Sequence, residues 1–274
     1  MVSNSKRYKE FTSNTRAASY AISAVIITAT TIVLVLVSSS YAYQILDQQR
    51  GVSEFDIAQK SMLSFDDALR DIAWSIKGSR SARFTLDYGQ LMLFPNDEAN
   101  GLPLTVTVEN TDINYSTHTG FVKYAIPTRY VTYGDNNYSS YILGDSRTIV
   151  DEGTEPQGCL LIKQESDYIT QTLSYRVKAM ETSSITVDDQ KVSYVDVWII
   201  VLKMDKQTFV SGDLDLVARA STLTTEPKLW NTSGSSTCNI LVQLGDNISY
   251  QPINLTNNPV SVVFNFIISE VQVS

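Results

Sequence analysis

The chain has 274 residues, a net charge of −8, 18% charged residues and 43% hydrophobic ones. That apolar content is too high for a disordered chain, and the acidity argues against a nucleic-acid partner. Beyond the first forty residues, about 230 remain, enough for one large β domain or two small ones.

Residues 1–17 form a basic leader. Lys6, Arg7, Lys9 and Arg16 stand against Glu10, a balance of +3 that leaves −11 on the remainder. An uncharged run follows Arg16 and lasts until Asp47. Ala21 to Val37 is built from Ala, Ile, Val, Leu and Thr with one Ser, and the stretch 18–43 exceeds the roughly 20 residues a helix needs to cross a bilayer. Thr hydroxyls bonded back to the preceding turn are tolerable in lipid. Tyr20, Tyr41 and Tyr43 sit at the ends, where aromatic belts lie. The basic leader predicts a cytoplasmic N-terminus and an acidic bulk outside the cell membrane.

Three uses of this run stay open: a removed signal peptide cut before Tyr43, an uncleaved anchor, or a helix processed on its cytoplasmic side. The third rests on "RAAS" at Arg16, a charged residue and then small ones directly before the apolar helix. That pattern resembles the class III signal peptides of archaeal type IV pilins and archaellins. The resemblance implies cleavage between Ala17 and Ala18 with the helix kept on the mature chain. Bacterial-type pilins carry Glu at the fifth mature position, where this chain has Ile22; archaeal members vary there.

The resemblance also implies an amphipathic continuation of the helix, and residues 44–78 supply one. Phe55, Ala58, Met62, Phe65, Leu69, Ile72 and Ile76 recur at alternating spacings of three and four, which places them on one face. Gly51 as a kink and Ser53 as a cap leave two readings open, one bent helix or two stacked helices; Gly78 marks the expected end, with Lys77 supporting the C-terminus. The face is expected to pack on the chain's own sheet.

From residue 79 to 274 the texture has period two. β-branched and aromatic runs are separated by Gly, Asn, Asp and Pro clusters, with no helix between them. "RFTLDYGQLMLFP" reads as a hairpin turning at Tyr88–Gly89, and "VDVWIIVL" as a central strand. "LWNTSGSSTCN" reads as a long loop or a boundary. The predicted class is α+β: a long N-terminal helix, transmembrane and then amphipathic, followed by a mainly antiparallel β-sandwich.

Chemistry is sparse. His118, in "STHTG", reads as part of an exposed turn, and there is no zinc, P-loop, nucleotide or hydrolase motif. Asp135, Asn136 and Asn137 fit a turn better than a Ca²⁺ loop, and Asp188–Asp189 fits a hairpin turn. No enzyme activity, catalytic residue, cofactor or metal is therefore expected. Cys159 and Cys238, both on the expected outer side, suggest one disulfide. Asn114, Asn137, Asn231, Asn247 and Asn254 each begin an N-x-S/T sequon, as in a glycosylated surface protein. The expectation is a structural or adhesive pilin-like protein. Its partners are the membrane, through the helix, and like or related subunits in a homo- or hetero-oligomeric filament. The alternative is a single-pass anchored ectodomain that binds ligands or partners without polymerising.

Overall fold

The structure is a computed structural model that describes residues 4–75, 77–151, 154–188, 190–232 and 234–274. The side chains of residues 4–19 and of Val187 lie outside that description. Ile76 of the expected packing face and Asp189 of the expected turn also lie outside it. The chain divides into two units, residues 1–50 and 51–274.

One helix, α1 (Asn4–Ala73), is followed by strands throughout. They are β1 (Ser79–Phe94), β2 (Leu102–Val108), β3 (Asn114–Thr119), β4 (Phe121–Pro127), β5 (Ser139–Leu143), β6 (Ile149–Val150) and β7 (Gly158–Gln164). Then come β8 (Tyr168–Tyr175), β9 (Val177–Val187), β10 (Gln190–Lys203), β11 (Thr208–Asn231), β12 (Thr237–Leu244), β13 (Asn247–Asn254) and β14 (Ser261–Val273). Ten of them form one sheet in the order β5-β7-β8-β4-β1-β11-β14-β10-β9-β6, and four form a second, β13-β12-β2-β3. Pairing is antiparallel except for β10 with β14 and β6 with β9.

Two cores result. In the first, the C-terminal third of α1 packs on β1, β4, β7 and β8. In the second, β2 and β12 of the small sheet pack on β9, β10 and β14. A strand shared by two cores must be apolar on both faces. β10 is that strand: Ile200 and Leu202 enter the first core, Ile199 and Val201 the second. The reading of "VDVWIIVL" as a central strand agrees with this position.

Several local expectations change. Of the two readings at Gly51, the single helix is observed: α1 continues through it without a restart, and Ser53 is exposed. Gly51 is required for a different reason. A Cβ there would stand 2.6 Å from the Cβ of Tyr130. The helix ends at Ala73, short of Gly78, where Ser269 Oγ of β14 donates to the Ala73 carbonyl and satisfies one of its open acceptors. Lys77, not Gly78, takes the left-handed backbone, with φ of 63°.

The hairpin expected at Tyr88–Gly89 is a bulge inside one strand. Leu86 pairs with Gly212 and Leu91 with Val210, so Asp87 to Gln90 oppose the single residue Ser211. The stretch expected as a loop or boundary is strand at both ends: β11 runs to Asn231 and β12 starts at Thr237. His118 lies inside β3, paired with Pro103, and not in a turn. Asp188 does sit in the β9–β10 turn, with φ of 48°.

The expected disulfide is not formed. Cys159 and Cys238 are free and buried. Cys159 is on β7 of the large sheet, its Sγ 3.6 Å from the Asp145 carbonyl oxygen, whereas Cys238 is on β12 and belongs to the second core. Burial pushes both thiols up, Cys238 to about 12, which suppresses the reactive thiolate. Native protein should therefore leave a thiol reagent unconsumed at neutral pH. Protein unfolded in guanidinium without reductant should consume two equivalents per chain, and consumption of none would restore the bridge.

Candidate functional site

Over residues 20–37, α1 is apolar around its whole circumference. Ile22, Val25, Ile26, Ile27 and Ile32 to Val37 are each 56–66% exposed. A helix apolar on all sides belongs in a membrane or a protein core. α1 is long and apolar enough to cross a membrane, and none of its most apolar window is buried. Fully burying ten such side chains is worth at most about 15–30 kcal/mol at 1.5–3 kcal/mol each, so an apolar environment is strongly favoured over water. Thr28, Thr30 and Thr31 donate back to carbonyls three and four residues earlier, Thr30 to Ile26 at 2.9 Å. Their hydroxyls are thus satisfied without solvent, as the sequence predicted.

In the second unit the remainder of α1 is held by its sequence-predicted face. Phe55, Ala58, Met62, Phe65, Leu69 and Ile72 are all at most 3% exposed. The polar contacts on this helix were not foreseen. Glu54 is buried beside the bulge of β1. Its Oε2 accepts from the N–H groups of Asp87 and Tyr88 at 2.7 and 2.8 Å, and its Oε1 from the N–H of Gly89 at 2.7 Å and the hydroxyl of Tyr124 at 2.9 Å. One carboxylate therefore satisfies the donors that the bulge withdraws from the sheet ladder. Burial, and then the Glu54 charge, push the Tyr124 hydroxyl far above its ordinary pKa, so it remains a donor. Gly89 leaves room for it, since a Cβ there would lie 2.3 Å from the Tyr124 oxygen.

One turn from the helix end, Arg70 Nε lies 3.1 Å from Asp66 Oδ2 and also pairs with Asp67. Asp66 is buried against the backbone of Gly158. Burial raises its carboxyl pKa, with Arg70 opposing. The folded chain thus holds this proton more tightly than the unfolded one. The stability from this group is fully present below the unfolded pKa and is lost as pH rises through the folded pKa.

Beside this pair, the C-terminal end of α1, the segment 154–157 and strands β9 and β10 enclose a hollow of about 340 Å³. Trp74 and Trp198 line it together with Arg70, Glu155, Gln157 and Lys178. An ionic network fixes the 154–157 wall. The buried Arg176 donates to Asp145 at 2.8 Å and to the Pro156 carbonyl, and Arg147 bridges Asp145 and Glu155. Hydrogen bonding from Arg147 holds the Asp145 carboxyl below its usual range. Glu155 Oε2 is buried, with no hydrogen-bond partner among the described residues.

No protein-family model, curated protein or solved structure matches the chain.

The remaining sequence-predicted residues do not gather into one site. Asn114, Asn137, Asn231, Asn247 and Asn254 are all exposed and are spread over β3, the turn before β5, the end of β11 and both ends of β13. Asp135 Oδ1 accepts the N–H of Asn137 at 2.9 Å, the turn that the sequence suggested. Among the described residues no cluster of three or more His, Cys, Asp or Glu could hold a metal ion. The backbone at Ala17 and Ala18 is helical, while their side chains lie outside the described residues.

Proposed function

We propose that the chain is a pilin-like surface protein of the archaeal type IV kind, with a structural or adhesive role. Its apolar helix first sits in the cell membrane, N-terminus inside, and then packs with like or related subunits in an extracellular filament. The leader is removed between Ala17 and Ala18, and the β-rich unit is presented outside with glycans on its five exposed sequons. No catalysis is part of this role.

One observation carries the proposal. A single helix, α1, is apolar on all sides over 20–37 and is bound into a β-rich unit by Glu54 and a buried face over 54–72. An element committed to its own domain at one end and unburied over its apolar run at the other calls for a second apolar medium.

Val33→Asp tests the assembly step. A charge at mid-helix costs about 2.5–3.5 kcal/mol on insertion scales, and an uncompensated one in a dry helix contact costs several kcal/mol. Electron microscopy of sheared cell-surface material should show filaments for the wild type and none for Val33→Asp, with the 51–274 unit still folded. Filaments of normal abundance in the variant would contradict assembly through this helix. Wild-type protein confined to the membrane fraction under every growth condition would leave the single-pass anchored ectodomain.

A further inference from the structure

We propose that the hollow at the C-terminal end of α1 binds a neutral carbohydrate. The inference rests on the proposed function only for the outward placement of the β-rich unit.

Two of the chain's three tryptophans line this hollow. Trp74 stands in the turn directly after α1 and is 37% exposed, although burying an indole is among the larger apolar gains available to a fold. Trp198 projects from β10, between Lys178 of β9 and Ile267 of β14 in register. The third, Trp230, is packed against the second core and has no part in the hollow. A sugar ring carries a face of C–H groups that stacks on the electron-rich face of an indole, while its hydroxyls need planar hydrogen-bonding side chains at the edge. Arg70 and Gln157 bring such groups to the hollow, the Gln157 amide nitrogen also donating to the Trp198 carbonyl at 2.9 Å.

The polar lining selects against ions. The Arg70 charge is already compensated by Asp66 and Asp67. Glu155 is likewise paired, with Arg147. A phosphate or carboxylate would find the Arg70 charge already taken. A quaternary ammonium ion would find the two aromatic walls, but the Glu155 charge already taken. A neutral polyol needs neither charge. The volume of about 340 Å³ falls within the roughly 300–1,000 Å³ of pockets that enclose small ligands.

The test uses the full chain in a detergent without sugar headgroups. Neutral mono- and disaccharides of the common hexoses and N-acetylhexosamines are titrated while tryptophan fluorescence is followed, with inorganic phosphate and choline as counter-ligands. The expected result is saturable binding of at least one neutral saccharide, weakened tenfold or more by Trp74→Ala and by Trp198→Phe and unchanged by Trp230→Phe. Thermal melts identify any variant that has lost its fold, and Trp74→Ala, outside both cores, should melt like the wild type. Three results would overturn the proposal: no neutral saccharide binds, phosphate or choline binds in its place, or Trp74→Ala binds as the wild type does. Because the readout needs no filament, failure here leaves the assembly reading standing, and the absence of filaments leaves this one standing.

Discussion

Phe65→Asp should leave the 51–274 unit without a cooperative thermal transition at room temperature. Phe65 is wholly buried in the first core, at the centre of the helix face that meets β1, β4, β7 and β8. Truncating a buried Phe costs about 3–5 kcal/mol, and an unpaired carboxylate in the same space adds several more unless it takes up a proton. The sum reaches the 5–15 kcal/mol that holds a typical domain together. The same substitution at Ile57, on the same helix but 47% exposed, should change stability by less than about 1 kcal/mol. Near-ultraviolet circular dichroism and limited proteolysis of both variants in detergent would check the pair. Equal melting of the two would mean that this face does not carry the attachment of α1 to the sheet.

Glu54→Gln should lower the melting temperature by roughly 5–10 °C. The carboxylate accepts four hydrogen bonds, three of them from consecutive backbone N–H groups. An amide retains one acceptor oxygen and turns an NH₂ toward the donors on the other side. Tyr124 can rotate its hydroxyl to accept, but a backbone N–H cannot. Losing charge-assisted bonds and stranding a buried N–H together cost about 2–3 kcal/mol, and a unit of this size shifts by about 2–4 °C per kcal/mol. Tyr124→Phe removes one donor and leaves the carboxylate its three amides, so it should cost less, on the order of 1.5 kcal/mol. A Glu54→Gln melt that overlies the wild type would show that the bulge of β1 does not depend on this side chain.

These two residues mark what the sequence could and could not reveal. The packing face was legible because burial repeats at helical spacing, a local signal that survives in one dimension. Glu54 was not. An acid between apolar positions reads as solvent-facing, and its partners lie 33 to 35 residues away on the backbone, where residue type carries no trace. Gly89 and Gly51 were both noticed, but as breakers. Each is instead a place where a tyrosine ring closes on the backbone, Tyr124 on Gly89 and Tyr130 on Gly51. Period two identified most strands, and the dual apolarity of β10 gave its central place. It could not show that Cys159 and Cys238 belong to different sheets, nor that "LWN" is the end of β11, because pairing partners lie far along the chain. The hollow draws Trp74 from the end of the helix and Trp198 from β10, 124 positions apart in the numbering. No spacing rule brings them together.

In the proposed function, the apolar helix is processed on its cytoplasmic side and stays on the mature chain as its assembling element. N-terminal sequencing of the native protein recovered from the cell surface tests this most directly. The predicted first residue is Ala18, with the whole stretch 20–46 retained. A mature chain that begins at Tyr43 would mean that the helix is discarded on export, and would contradict the claim outright.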